Sequence, residues 1–267
     1  KIPSGMNVRN VPHRFAEMTE LNKLKCARHI RVDKALLSIG TLGSGNHFIE
    51  LDKSENKYYL IIHSGSRHLG VEVERYYHEL AHEKTKGSVP YEFAYLEGEL
   101  LEDYLHDMTI VQNFARINRQ AIADDIVKSL KFNVTDNFST IHNYIDTKHK
   151  ILRKGAISAM NGEKIIIPLN MRDGCILCRG KENADWNFSA PHGAGRAYNR
   201  ADTIASFTLS QYKKEMSKIY STSISRGTLD ECPMAYKNSQ KIINAIKPTA
   251  DIIEAIKPVY NYKAEIR

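Results

Sequence analysis

The chain has 267 residues, and 42% of them are hydrophobic, so it is long enough and apolar enough to build a folded core. No run approaches the roughly 18 consecutive apolar residues of a membrane span, and the first residues lack the apolar segment of a signal peptide, so we expect a cytoplasmic protein without a membrane partner. A formal net charge of +7 favours a polyanionic partner such as nucleic acid but does not identify it.

Helical and strand patterns are interleaved along the chain without the regular alternation of a Rossmann sheet. In chain order, the patterns predict a helix over 14–28, a strand over 58–63, helices over 71–86 and about 98–131, and strands over 164–168 and 175–180. This mixture favours an α+β fold with irregular mixed or antiparallel sheets flanked by helices. No linker, repeat or low-complexity tract interrupts residues 1–267, which predicts a single domain.

Four histidines stand beside glycines or at strand ends rather than inside helical stripes. They are His47 in GTLGSGNHFIE, His63 in IIHSGSRHLG, His142 in TIHNYID and His192 in APHGAGR. Taken singly, each is more often a satisfied structural residue than a ligand. Together they favour a metal cluster that also contacts phosphate, because neutral imidazoles are common ligands of zinc and manganese.

A zinc-protease motif is also present in the sequence. The segment HELAH matches H-E-x-x-H, in which His78 and His82 would bind zinc and Glu79 would act as general base. Glu102 is the candidate third ligand. The motif fixes only three residues, and such a match occurs easily by chance in a charged amphipathic helix. A metalloprotease is therefore the weaker alternative.

The four cysteines predict reduced thiols rather than a disulfide framework. Cys175 and Cys178 form a single C-x-x-C pair, and no second pair follows at zinc-ribbon spacing. The alternation of the segment around them favours an ordinary strand over a metal site.

Eight blocks, in this order, resemble the RtcB-type RNA-splicing ligases, which join RNA ends using GTP and manganese. The blocks are GTLGSGNHFIEL, HSGSRHLG, YLHDMTIVQNFARINR, IHNYID, RKGAISAMNGEKIIIPLNMRDG, NADWNFSAPHGAGRAYNR, DECPMAYK and PVYNYKA. Several blocks in the family's order are far more specific than any one of them. The resemblance spans nearly the whole chain and implies an RtcB-like fold.

The resemblance implies a role for each matching residue. His192 would be the nucleophile that attacks the α-phosphorus of GTP, and the metal ligands for Mn²⁺, two ions per site in the family, would include His47, His63 and His142. The implied nucleotide contacts are Asn46, Glu50, Asn143, Pro168, Leu169, Asn170, Met171, Cys175, Gly193, Ala194, Gly195 and Lys263. The implied contacts to RNA or GTP phosphates are Arg67, Arg196 and Arg200, since a guanidinium can grip phosphate oxygens bidentately.

The implied reaction joins RNA 3′-phosphate or 2′,3′-cyclic phosphate ends to 5′-hydroxyl ends, as in RNA repair or tRNA splicing. The sequence also departs from the family. The upstream DxGCG-like block, which carries an Asp and a Cys metal ligand, does not occur in it, and we expect that block in an N-terminal portion outside this sequence. The absent ligands favour one alternative, a non-catalytic RNA-binding relative.

Smaller departures are His68 in place of Gly, Asn199 in place of Ser and Cys175 in place of Ser. The segment IPLNMRDG also differs from the PGSMG form of many relatives. These differences suggest a distinct branch of the family.

Overall fold

The computed structural model describes residues 2–264; Lys1 and residues 265–267, which the single-domain prediction includes, lie outside the described residues. The chain forms two compact units, the first made of Lys1–Gly43 and Ser64–Phe132 and the second of Ser44–His63 and Asn133–Arg267. Each unit combines two separate stretches of sequence, so no linker marks them. One catalytic domain over the whole chain stays a prediction.

Residues 2–264 form six α-helices and nine strands, joined by loops and short 3-10 helices. The helices are α1 Val32–Ser38, α2 Leu69–Thr85, α3 Gly98–Leu130, α4 Arg200–Ser206, α5 Leu209–Glu215 and α6 Ser239–Ala245. The strands are β1 Phe48–Lys53, β2 Tyr58–His63, β3 His142–Asp146, β4 Ile151–Ser158, β5 Lys164–Asn170, β6 Gly174–Gly180, β7 Ser189–Pro191, β8 Tyr220–Ser221 and β9 Ala250–Lys263.

The first unit is helical, and its core lies along one stripe of each long helix. In α2 the buried residues are spaced by four, as in Leu69, Val73 and Tyr77, which places them on one face. The buried residues of α3 follow the same periodicity, and the helix ends where Lys131 adopts a left-handed conformation with φ of 55°. The helices predicted over 71–86 and 98–131 are confirmed, with small shifts at their ends.

The helix predicted over 14–28 is wrong. This stretch forms three short 3-10 helices, Arg14–Met18, Leu21–Lys23 and Ala27–His29. The buried carboxylate of Asp107 on α3 accepts the backbone N–H groups of Lys25 and Cys26 at 2.9 and 3.0 Å. Those N–H groups are therefore used in a tertiary contact, and an α-helical ladder cannot use them as well.

The second unit contains two sheets. The larger has the order β2–β1–β9–β6–β5, with β8 pairing in parallel with β9, and the smaller has the order β3–β4–β7. All pairs other than β8 with β9 are antiparallel. The predicted α+β class with irregular, largely antiparallel sheets is confirmed, as are the strands predicted over 58–63, 164–168 and 175–180.

The central strand β9 was not predicted, and it contains Pro258, a residue that is rare inside central strands. A register shift between Leu51 and Asp52 of β1, where Asp52 lies opposite Pro258, accommodates the proline within the ladder. β9 is 14 residues long and joins β1 to β6, so it holds the two halves of the larger sheet together.

Cys175 and Cys178 lie on opposite faces of β6. Cys178 packs with Ile165 and Ile176 in one apolar cluster, whereas Cys175 packs with Ile256 in another. All four cysteines are buried free thiols, and the strand predicted around Cys175 and Cys178 is confirmed. None of the helices in the described part of the chain has the length and apolarity to cross a membrane.

Candidate active site

The β1–β2 hairpin brings His47 and His63 to the same end of the larger sheet. His63 is the last residue of β2 and lies opposite Phe48, the first residue of β1, while His47 immediately precedes β1. The two imidazole ring centroids are 5.5 Å apart at an interplanar angle of 80°. The glycine-rich turn before β1 thus places a histidine where the sequence predicted one.

The smaller sheet supplies His142 and His192. His142 begins β3 and pairs with Ile157 of β4, and His192 follows β7, whose Pro191 pairs with Ala156. Because β4 lies between the other two strands, these two histidines emerge side by side, with ring centroids 4.8 Å apart. His142 is in turn 5.3 Å from the ring of His63.

The four predicted histidines therefore form a continuous row in the order His47, His63, His142, His192. The Nε2 atoms of His63 and His142 face each other at 3.1 Å. The ligand atoms of His47, His63 and His142 do not meet within 4.8 Å as a group of three. The central pair is thus the part of this row that could share one ion without rearrangement.

The surroundings of His63 suit metal binding. Its Nδ1 atom lies 3.1 Å from the carbonyl oxygen of Asn46, which can only accept, so Nδ1 carries the proton and Nε2 carries the lone pair. Burial, followed by the neighbouring His47 and His142, holds the pKa of His63 well below its ordinary value. A neutral imidazole with a free Nε2 is the form that ligates a metal ion.

The orientation of His192 is fixed by the backbone of β4. Its Nδ1 atom donates to the carbonyl oxygen of Gly155 at 2.6 Å. The backbone N–H of Gly155 donates in turn to the side-chain oxygen of Asn143 at 2.6 Å. The predicted nucleotide contact Asn143 therefore supports the glycine that holds His192, and the lone pair of His192 is left on Nε2.

Three buried titratable groups lie close together on β1 and β6 of the larger sheet. Ligand atoms of Glu50, Asp52 and Cys175 all lie within 4.8 Å of one another, and Asn261 of β9 donates to Glu50. Burial and the nearby Asp52 raise the pKa of Glu50 well above its ordinary value, and burial raises the pKa of Asp52 to about 6. The state in which one of the two carboxyl groups keeps its proton is therefore favoured over the state in which both are ionised.

A second group of three, His13 with Asp124 and Asp125, also satisfies metal-ligand spacing within the described residues. Arg9 contacts Asp125 at 2.5 Å, and Arg14 contacts Asp124 at 2.5 Å. These carboxylates are already compensated by arginines, which makes the group a surface ion-pair network rather than a metal centre.

A model of the family described as tRNA-splicing ligase RtcB matches residues 6–264. The chain belongs to the RtcB family. It is 31% identical over 247 residues to the RNA-splicing ligase RtcB of Escherichia coli strain K12. The aligned region covers 83% of this chain and 60% of that protein. It is 28% identical over 279 residues to the tRNA-splicing ligase RtcB of Nanoarchaeum equitans, covering 83% of this chain and 58% of that protein.

The tRNA-splicing ligase RtcB of Methanococcus maripaludis is 28% identical over 267 residues, covering 78% of this chain and 56% of that protein. The chain thus spans about 60% of the length of the first RtcB relatives that it matches.

The positions predicted to contact nucleotide, Pro168 to Met171, lie at the end of β5 and in the turn after it, and none of them is exposed. Leu169 and Met171 are 4% and 2% exposed, and the side-chain oxygen of Asn170 accepts the backbone N–H groups of Arg172 and Asp173. These side chains shape the turn between β5 and β6. A contact to nucleotide from this segment would come chiefly from its backbone.

The glycine loop after His192 approaches that segment closely. The backbone N–H of Ala194 donates to the carbonyl oxygen of Pro168 at 3.0 Å, and a Cβ at Gly193 would lie 3.1 Å from the same oxygen. Gly195 has φ of 72°, a conformation that glycine adopts without strain. These features explain why the loop alternates glycine with a small residue.

The two arginines of the second unit that are predicted to bind phosphate contact a pair of buried carboxylates. Arg196 donates to Tyr198, Thr203, the Asp230 carbonyl and Glu231, so four of its five N–H groups are already used. Arg200 contacts Asp230 and Glu231 while its side chain stays 43% exposed. Arg200 is therefore the better placed of the two to contact a phosphate.

The third arginine, Arg67, belongs to the first unit. Its φ is 56°, and its guanidinium donates to Thr41 at 3.0 Å and to the carbonyl oxygen of Gly5 at 2.8 Å. Burial lowers the pKa of Arg67. The side chain ties together the N-terminal segment and the loop that precedes α2.

The HELAH motif lies on α2, as predicted, but shows no zinc site. His78 contacts the carbonyl oxygen of Tyr91 at 3.1 Å, and its ring packs against that tyrosine with centroids 4.3 Å apart. His82 packs against the same ring at 4.9 Å. Neither histidine belongs to a group of three metal-binding side chains among residues 2–264.

Several residues that shape the site were given no role from the sequence. They are Asp52, Gly155, Asp230, Glu231 and Asn261. Each acts through a contact with a residue on another element of the fold, as in the pair formed by Glu50 and Asn261. Four of them lie in family blocks, Gly155 in RKGAISAMNGEKIIIPLNMRDG, Asn261 in PVYNYKA, and Asp230 and Glu231 in DECPMAYK, but the resemblance gave none of them a role.

Proposed function

We propose that this chain provides the nucleotidyl-transfer centre of a GTP- and Mn²⁺-dependent RNA ligase. Such a ligase would join RNA 3′-phosphate or 2′,3′-cyclic phosphate ends to 5′-hydroxyl ends, in RNA repair or tRNA splicing in the cytoplasm. One observation carries the proposal: His192 is held through Nδ1 by the Gly155 carbonyl, beside the pair formed by His142 and His63.

This arrangement fits a nucleophilic imidazole. With the Nδ1 proton donated to Gly155, the Nε2 lone pair of His192 is available to attack the α-phosphorus of GTP. The N–P bond forms as the bond to pyrophosphate breaks, giving a histidine–GMP phosphoramidate. The carbonyl oxygen stabilises the positive charge that develops on the ring, because its contact with Nδ1–H strengthens as that charge grows.

Two later steps would complete the reaction. An oxygen of the RNA 3′-phosphate attacks the phosphorus of the phosphoramidate, which breaks the N–P bond and returns His192 to its starting form. The 5′-hydroxyl of the second RNA end then displaces GMP from the activated 3′ end. Activation is needed because a phosphate monoester has no good leaving group of its own.

The residues present fit a divalent cation. His63 and His142 would hold Mn²⁺, with His47 joining them after a rearrangement, and the ion would supply charge neutralisation for the phosphates of GTP. His63 is suited to this because its Nδ1 faces a carbonyl oxygen and its pKa is lowered, which leaves Nε2 neutral and unprotonated. Arg200 and the overall charge of +7 favour an RNA backbone as partner.

The decisive test is covalent labelling of the full-length protein with α-labelled GTP and Mn²⁺. We expect a label that survives alkali, is lost in acid and disappears in His192→Ala. His149→Ala is the matched control, because His149 is a partly exposed histidine that contacts Asp146 at 2.9 Å. Absence of label from a folded, RNA-binding wild-type protein would contradict the proposal and favour a non-catalytic RNA-binding relative.

A further inference from the structure

Glu231 is a buried carboxylate on which several cationic side chains converge. It ends the 3-10 helix Arg226–Glu231 and is only 2% exposed. Its Oε1 atom lies 2.8 Å from Arg200 Nη1 and 3.2 Å from Arg196 Nη1. Its Oε2 atom lies 2.6 Å from Lys263 Nζ and also accepts the hydroxyl of Tyr236.

These donors come from distant parts of the chain. Lys263 is the last residue of β9, Arg196 follows the His192 loop, and Arg200 begins α4. Burial alone would push the pKa of Glu231 up, but the contacts from Lys263, Tyr236 and Arg200 outweigh it and lower the pKa. The carboxylate is therefore ionised at neutral pH and can form ion pairs with all three cationic side chains.

The charge balance of this cluster is uneven. Arg196, Arg200 and Lys263 carry three positive charges, and Asp230 and Glu231 carry two negative ones. The cluster therefore has a net charge of one positive unit. Most of its charges are compensated in the absence of a ligand, and the remaining positive charge can attract an anion. Removing the Glu231 charge would leave the buried Lys263 without its carboxylate partner.

Lys263 depends on Glu231 more than on any other acidic group near it. Its side chain is 5% exposed, and its Nζ lies 5.6 Å from the centre of the Phe48 ring and 5.9 Å from that of Tyr236. Among the ion pairs of the described residues, Glu231 is its one carboxylate partner. An ammonium group between two aromatic rings and a carboxylate has one defined position.

We propose that Glu231 is a positioning residue that holds Lys263 where it reads the nucleotide base and, through the same carboxylate, aligns Arg200 for phosphate. The base-reading part rests on the proposed function, since Lys263 is a nucleotide contact only by the resemblance to RtcB ligases. The placement of Lys263 by Glu231 does not depend on it.

The chain offers a matched control at the next residue. Asp230 is 4% exposed and contacts Arg200, but it makes no ion pair with Lys263. Glu231→Gln and Asp230→Asn each replace one buried carboxylate by its amide, so their general effect on folding is comparable. Only Glu231→Gln releases Lys263.

The first measurement uses the full-length protein without nucleotide. Lysines are acetylated briefly with acetic anhydride, and the modification of Lys263 is quantified by mass spectrometry relative to the exposed Lys257 on the same strand. We expect about a ten-fold rise for Lys263 in Glu231→Gln and no change in Asp230→Asn. Glu231→Asp keeps the negative charge on a side chain that is one methylene shorter, so we expect a smaller rise in the acetylation of Lys263. This variant replaces Glu231→Gln in the measurement if Glu231→Gln fails to fold.

The second measurement compares the dissociation constants of GTP and ATP in the presence of Mn²⁺. We expect the preference for GTP to fall about ten-fold in Glu231→Gln and to persist in Asp230→Asn, whose affinity for both nucleotides falls together. A structural disturbance alone would change both nucleotides equally in both variants.

The two measurements separate the possible failures. Unchanged acetylation of Lys263 in a folded Glu231 variant, or an equal rise in Asp230→Asn, overturns the inference. A wild-type protein that binds no GTP overturns the proposed function and the base-reading role, while the acetylation result still decides whether Glu231 positions Lys263.

Discussion

The imidazole of His192 donates through Nδ1 to the carbonyl oxygen of Gly155 at 2.6 Å. Gly155 lies on β4 with φ of 65°, a left-handed conformation that turns its carbonyl towards the ring. A single peptide group thus selects the tautomer of His192 and aims its Nε2 atom. Any other residue at position 155 would strain the backbone, so a substitution there tests whether the Gly155 carbonyl orients His192.

Gly155→Ala should slow guanylylation of His192. The added Cβ would lie 3.6 Å from the imidazole, an ordinary contact, so the main cost is about 1 kcal/mol for the left-handed backbone. Relief of that strain should move the carbonyl and slow labelling by about ten-fold. Gly162→Ala is the control, because Gly162 has φ of 71° and a Cβ added there would meet nothing within 4 Å. Equal labelling rates in the two variants would contradict this role.

Arg153→Ala should strongly destabilise the smaller sheet. Arg153 is 2% exposed on β4, and it donates to Tyr144 and Asp146 of β3 and to Ser189 of β7 at 2.9 to 3.0 Å. Removing it leaves the Asp146 carboxylate without its arginine, which costs about 3–5 kcal/mol.

Urea unfolding measures this loss directly, and the exposed neighbour Lys154→Ala should change stability by less than about 0.5 kcal/mol. A loss below about 1 kcal/mol in Arg153→Ala would show that the sheet does not depend on the arginine.

Asp52→Asn should become more stabilising as pH rises. Burial raises the folded-state pKa of Asp52 from 3.8 to about 6, so the folded protein binds this proton more tightly than the unfolded chain. The resulting penalty is absent well below pH 4 and complete above pH 6, and two pKa units correspond to about 3 kcal/mol. The gain of the variant over wild type should therefore grow between pH 4 and pH 8.

Denaturant unfolding across that pH range tests the sign. Asp251→Asn is the control, since the side chain of Asp251 is 75% exposed on β9 of the same sheet, and its effect should be nearly constant with pH. A stability difference for Asp52→Asn that is flat, or that shrinks as pH rises, would contradict the placement of this carboxyl group. The groups that face it are Glu50, Cys175 and Lys257.

His78→Ala and His82→Ala should leave labelling of His192 unchanged. Both side chains pack against Tyr91, so each substitution should cost about 1 kcal/mol of stability through lost packing and, for His78, one hydrogen bond. Metal content measured by mass spectrometry should also stay the same. Zinc that is bound by wild type and lost on His78 substitution would instead revive the protease alternative.

The sequence by itself determined the family, the fold class and the row of histidines. The turn glycines beside His47 and His192 and the strand that ends at His63 are local features, visible because glycine and short apolar runs have strong backbone preferences. The strands β3 and β7, which place His142 and His192, were not predicted. The long helix α3 was also predictable, since its apolar periodicity runs over its 33 residues.

Only the tertiary structure decided which side chains support those histidines and cations. The segment over 14–28 has helical periodicity, yet Asp107 captures two of its backbone N–H groups, so a distant carboxylate overrides a local preference. Likewise Gly155, 37 positions before His192, and Glu231, 32 positions before Lys263, act through contacts between elements whose packing no local pattern specifies. An ion pair or hydrogen bond is stronger in the protein interior than in water, and a buried group without a partner is costly. The role of such a residue therefore depends on which partner the folded chain places beside it.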